Sequence, residues 1–185
     1  MKIAFRISFC LLVFTTHIAL AQTRLPISQA LDTWITNAEK DVVSAANAMP
    51  EDKYSFAPTA GRFSGVRTFG QQVKHLAANN YRMAARILGQ MPTPDQEFET
   101  GPETVQSKEQ VMGYVKGSFT ALHQAVASTN ADNALSPVIP TRVGTARQNT
   151  RLEFAVDAVS HSYDHYGQMV EYLRMNGIVP PASRK

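Results

Sequence analysis

Cysteine is almost absent: the 185-residue chain has one, Cys10, near its N-terminus. A mature protein that loses its N-terminal segment keeps no thiol, no disulfide and no thiolate metal ligand. Charge is also sparse. Charged residues make up 18% of the chain, and basic residues exceed acidic ones by only three. No basic run with interleaved aromatics is present to track a phosphate backbone, so the sequence gives no nucleic-acid surface. No β-type alternation persists, no internal repeat recurs, and no stretch reaches the ~20 apolar residues that a membrane-spanning helix needs. What remains is 44% hydrophobic residues in a length suited to one domain, two at most.

The first 21 residues read as a secretory signal peptide. Lys2 and Arg6 form a basic start, an apolar stretch runs from Phe9 to Leu20, and Ala19-Leu20-Ala21 is a small-x-small cleavage site. The apolar stretch is too short for a membrane anchor. Cys10 lies inside it and not just after a cleavage site, which argues against a lipidated cysteine. Two of the three excess positive charges leave with this leader, so the high isoelectric point is no argument for a polyanionic partner. Residues 22–185 should form a soluble periplasmic or secreted domain with no further tie to the membrane.

Four amphipathic patterns fill that domain. Ile27, Leu31, Trp34, Ile35, Ala38, Val42, Ala45 and Met49 recur at three- and four-residue steps, ended by Pro50. Val66, Phe69, Val73, Leu76, Asn80, Met83 and Ile87 form a second such stripe, with Ser64 placed as its cap and Gly89 and Pro92 closing it. Val111, Val115, Phe119, Leu122 and Val126 mark a third, opened by a capping box from Ser107 to Gln110. The fourth runs from a box at Thr145 to Gln148 through Leu152, Ala155, Val159, Tyr166, Met169, Val170 and Leu173 to Gly177, with Ile178 packing back and Pro180-Pro181 stopping the chain. Connectors at 50–63, 90–106 and 130–144 are long for a minimal bundle. The pattern predicts an all-α fold, a single four-helix bundle with long connecting loops.

Four histidines lie beyond the leader: His75, His123, His161 and His165. His161 and His165 are four apart on one helix, so both imidazoles share a face and can converge on one ion. A zinc-protease motif needs Glu after the first of such a pair; Ser162 stands there. His75 borders the stripe of the second helix beside Leu76, and neutral imidazole is the commonest metal ligand. His123, beside Leu122, reads as a partly buried or surface histidine. Asp157, one turn before His161, is a candidate to orient an imidazole or act as a base; a solvated helix charge is the plainer reading. Glu153 and Asp164 read as surface acids, and Tyr81, Tyr166 and Gln168 as candidate lining groups or simple packing.

These residues carry a resemblance. Gln72-Val73-Lys74-His75-Leu76-Ala77 follows a loop with Lys53-Tyr54-Ser55-Phe56-Ala57-Pro58. The chain closes on His161-x3-His165, Gly167-Gln168, Tyr172-Leu173-Arg174 and Asn176-Gly177-Ile178-Val179-Pro180-Pro181. Together they resemble the DinB/YfiT-like superfamily of metalloenzymes. The resemblance implies a four-helix bundle in the mirror variant of up-and-down topology. It implies one divalent ion, nickel or zinc, on His75, His161 and His165. It also implies a homodimer, and in some members transfer or isomerisation with a small thiol. The family often has Arg where this chain has Tyr166, and an exported protein meets little of the cytosolic thiol pool.

Three imidazole ligands leave a coordination position open, the arrangement of catalytic and not structural zinc. The sequence therefore leaves two classes open: a divalent-metal-dependent hydrolase or thiol-dependent transferase acting on a small-molecule substrate, and a non-catalytic metal-binding or interaction bundle. Export is directly testable. Mass spectrometry of the protein from its own compartment should find Gln22 at the N-terminus, and a predominant species retaining Met1 overturns the leader.

Overall fold

The computed structural model describes residues 24–59, 65–93, 99–138 and 149–184. Four helices account for most of them: α1 (Ile27–Ala48), α2 (Phe69–Ile87), α3 (Lys108–Ala127) and α4 (Arg151–Met175). Among the described residues the only β pairing is one isolated bridge between Pro137 and Thr150. No described helix is long and apolar enough to cross a membrane. The leader, residues 1–21, lies outside the described residues.

The helix ends follow capping chemistry. Ser107 and Gln110 form the expected box at α3, each side chain satisfying the other's backbone amide. Two starts differ from the sequence reading. Helix α2 opens at Thr68, boxed with Gln71, so Val66 stands outside it and is exposed. Helix α4 opens at Thr150, boxed with Glu153. Ser64, Thr145 and Gln148 lie outside the described residues. Ahead of α4 the threonine with Glu or Gln three positions on occurs twice, at 145–148 and 150–153, whereas ahead of α2 only Thr68 carries it; both helix starts adjoin the buried stripe. At the end of α4, Gly177 takes φ 73°, its amide bonds Arg174, and the Ile178 amide bonds Leu173, the closure expected there.

Helix α2 packs against α3 and α4, and so does α1, which leaves α1 opposite α2 and α3 opposite α4. The directions follow from contacts. Lys108 at the start of α3 donates to the Asn47 and Met49 carbonyls at the end of α1, at 2.9 and 2.7 Å. His123 near the end of α3 meets Asp32 and Glu39 of α1. These two helices are antiparallel. Helices α2 and α4 are antiparallel too: Tyr172 bonds the Arg67 carbonyl at one end, and Arg86 lies over the Phe154 ring at the other. Asn80 bonds Ser118, while Thr68 and Gln71 share a cleft with Ser107 and Lys108, so α2 and α3 run parallel. The expected four-helix bundle is present, but its alternation is broken once. The chain from α2 to α3 must return along the bundle, and it lays Glu99 and Gly101 beside His75 and Lys74.

The core is built from the predicted stripes, including Ile35, Val42, Phe69, Leu76, Phe119, Leu122 and Leu173, all nearly inaccessible. Trp34 is the exception. At 57% exposure it lies off the buried face of α1, which is centred on Leu31, Ile35, Ala38 and Val42. Replacing buried Phe119 by Ala should cost about 3–5 kcal/mol. Thr68→Ala, which removes a cap, should cost about 1 kcal/mol. Urea denaturation followed by helical signal measures both, and equal effects would contradict this placement of core and cap.

Candidate metal centre

The antiparallel register of α2 on α4 sets His75 against His161 and His165. His161 Nε2 lies 3.2 Å from His75 Nε2 and 3.0 Å from His165 Nε2. All three ligand atoms fall within 4.8 Å of one another, and no carboxylate joins the group among the described residues. Two nitrogens on one tetrahedral zinc, each at about 2.0–2.1 Å, stand about 3.3 Å apart, so the observed spacing is close to that of a shared ion. His75 and His165 are buried and His161 is half-buried.

The outer nitrogens show how the rings are held. His75 Nδ1 lies 2.5 Å from the Glu99 carbonyl oxygen, which can only accept. Nδ1 therefore carries the proton, and Nε2 turns a lone pair toward the cluster. The Glu99 carboxylate pairs with Arg67, whose own carbonyl accepts from Tyr172. His165 Nδ1 lies 2.7 Å from the side-chain amide of fully buried Gln72, which in turn meets Gln168 at 2.5 Å. Gln72 Nε2 is the atom placed against Nδ1, and it donates to Gln168 Oε1; turning this amide over would bring its oxygen to the ring to accept the Nδ1 proton and leave His165 Nε2 as a ligand. Gln168 would then turn as well, donating to Gln72 in place of its 3.3 Å bond to exposed Asp164. His161 Nδ1 is buried with no hydrogen-bond partner. Lone pairs crowded this closely repel unless a proton or a cation sits among them, so the donor set suits a divalent ion.

Protons compete poorly here. Burial, then the neighbouring imidazoles, then Arg82 and Arg67 push His161 down to about 3. Burial, then His75, push His165 down to about 4. Burial also lowers His75, against the bond to Glu99.

Other candidates lie elsewhere. His123 sits between Asp32, 2.6 Å from Nδ1, and Glu39, 3.2 Å from Nε2. Burial opposes its charged form, but the two acids prevail and raise its pKa. It ties α3 to α1 and stands apart from the cluster. Asp157 is exposed and does not bond His161 Nδ1. Glu153 is taken up in the α4 capping box. Tyr81 packs against Tyr114, with ring centres 5.1 Å apart. Tyr166 is half-buried, packs on Tyr163 and feels Asp41 of α1, so it faces away from the histidines. Residues missed from sequence are Glu99, Gln72, Arg67, Asn79 and Arg82. Gln72, Asn79 and Arg82 were within reach, because they stand three before, four after and seven after His75, on one helix face. Glu99 carried no signal: a backbone carbonyl in a connector has no side-chain signature.

The profile of a family described as the DinB superfamily matches residues 35–169, a span that contains all three histidines. A solved structure titled as the conserved protein of a locus from Enterococcus faecalis shares the fold, with a TM-score of 0.65 at 13% identity, covering 82% of this chain and 98% of that one. No curated protein matches the chain.

The low proton affinities have a measurable consequence. Three imidazoles at the ordinary value of about 6.5 would each lose about tenfold in neutral fraction between pH 7.5 and 5.5, about 10³ together. With His161 and His165 held near 3 and 4, zinc affinity should fall by less than about tenfold over that range. Competition titration with a chelator at the two pH values measures it, and a thousandfold loss would contradict the cluster's buried state.

Proposed function

The chain belongs to the DinB superfamily, and from that premise we propose that it is an exported, divalent-metal-dependent enzyme acting on a small molecule, of the hydrolase or thiol-dependent transferase type. The observation that carries the reading is the meeting of three imidazole Nε2 atoms at 3.0–3.2 Å steps inside the bundle. Nickel or zinc suits such a nitrogen set. A divalent ion held there supplies Lewis acidity toward an electronegative atom of the substrate. The chain's part is positional. Glu99 and Gln72 fix two of the three rings, and burial keeps all three neutral and able to ligate.

The two reaction types ask different things of the protein. Hydrolysis needs a base to take a proton from the nucleophile, and Asp157, exposed one turn before His161, is the acid we assign to it. A thiol, with a pKa of about 8.5, gives up its proton to solvent far more readily than water does, so transfer to it makes a weaker demand. The absence of a carboxylate from the cluster among the described residues favours the second type, and equally favours a metal-binding bundle without catalysis. The periplasmic or secreted location and a homodimer belong to the same proposal, on the leader and on the family resemblance respectively.

Protein purified from its native compartment should contain about one divalent ion per chain. His161→Ala and His165→Ala should take metal content well below that while helical signal persists, because the apolar core lies elsewhere. His123→Ala should leave it unchanged. Elemental analysis reads all four samples. Undiminished metal in the His161 variant would sink the proposal, and a metal-loaded protein silent in hydrolase and thiol-transferase screens would turn it toward the non-catalytic reading.

A further inference from the structure

The buried face of α2 does not end its polar chemistry at His75. Asn79 follows one turn later and Arg82 nearly two, on the same side of the helix. Asn79 is 3% exposed, and its side-chain N–H₂ has no hydrogen-bond partner. Its oxygen accepts from Arg82 at 2.5 Å. Arg82 Nε is buried and also lacks a partner. Among the described residues no carboxylate lies within ion-pair distance of this guanidinium, whereas Arg67, the other cation beside the cluster, is paired with Glu99. Across the seam, α4 buries Phe154, Ala155 and Ala158, which offer no acceptor side chain. Buried donors left unpaired are costly, about 1–3 kcal/mol each, and a protein that retains two side by side has a use for them.

Both orphaned groups are donors, so what they lack is an acceptor. Charge points the same way. The histidine ligands are neutral, so a bound dication keeps its full charge. Arg67 and Arg82 add to it; among the described residues the acids that act on the histidines are Glu99, which Arg67 pairs, and Asp164, which is exposed. Arg82 is near enough to His75 and His161 to help suppress their protonation. A site with this excess of positive charge attracts an anion.

We propose that Arg82 and Asn79 form an oxyanion subsite beside the histidine cluster, which receives a carboxylate or phosphate group of the substrate. The assignment deepens the metal-dependent reading and rests on it for the identity of the reaction centre. The substrate class is then a small anionic molecule, bound by Arg82 through paired N–H groups and by the Asn79 amide, with its reactive atom toward the three imidazoles.

The test uses the full mature chain, metal-free and zinc-loaded, with acetate and inorganic phosphate as probes. In ¹H–¹⁵N spectra the Arg82 Nε–H and the Asn79 side-chain amide should shift on titration with one of the two anions, and which one does so separates a carboxylate from a phosphate substrate. Arg82→Gln should weaken that anion at least tenfold while zinc affinity changes less than about threefold. Asn79→Asp, which gives Arg82 an internal acid, should weaken it comparably and serves if the Arg82 variant misfolds. Phosphate or acetate binding through Arg82 in a wild-type protein that takes up no zinc would support the subsite and overturn the metal reading alone. Resonances that do not move with either anion, or equal affinity in wild type and Arg82→Gln, overturn the subsite.

Discussion

The seam between α2 and α4 is the constraint on which the rest of the molecule depends. It buries Gln72, His75, Asn79 and Asn80 from one helix and Ser162 and His165 from the other. Polar groups removed from water are tolerated only when they meet partners. Most of these do: Gln72 meets His165 and Gln168, and Asn80 donates to Ser118 and accepts from Ser162. Such a seam has one workable register. Sliding either helix by one residue turns its side chains by about 100° and would separate the histidines and strand each amide at once. The apolar layers, Phe69 and Leu76 against Phe119, Leu122 and Leu173, supply the favourable burial that lets the bundle carry this polar strip.

Topology follows from the same need. Because α2 and α3 run parallel, the chain between them must return along the bundle, and on the way it brings the Glu99 carbonyl to His75 Nδ1. A tight turn joining antiparallel neighbours would leave no main chain there. The long connector thus has a chemical result: it fixes a tautomer that the helices alone leave open. Arg67, just ahead of the Thr68 cap, closes the arrangement from the other side by pairing with the Glu99 carboxylate and offering its carbonyl to Tyr172.

The sequence displayed the three clustered histidines more clearly than their surroundings. His161 and His165 share a face by spacing alone, and the apolar stripes of four helices were readable from period. Asn80 looked like a break in its stripe, yet it is fully buried and joins three helices through Ser118 and Ser162. Single-helix periodicity cannot distinguish a buried amide from an exposed one, because the difference lies in what the neighbouring helices bring. Trp34 failed for the opposite reason. It fits the three-and-four spacing, but its position is one step round from the centre of the buried face, and a large ring there stays outside. Caps are short local signals, and the starts of α2 and α4 fall at Thr68 and Thr150, which let the first buried residue, Phe69 or Phe154, reach the core.

The cluster's resistance to protons and its fitness for a cation have one cause. Three imidazoles confined to one pocket cannot all be charged, since each charge raises the cost of the next and burial raises them all. That cost falls on protons, which would sit on separate rings, and not on a single ion shared by three lone pairs. A carboxylate in the set would have changed both sides of the balance: it would have restored proton affinity to the rings and cancelled part of the charge of a bound dication. The all-imidazole set keeps the rings neutral and the charge intact. The unpaired donors of Arg82 and Asn79 extend that positive field along α2 beyond the histidines.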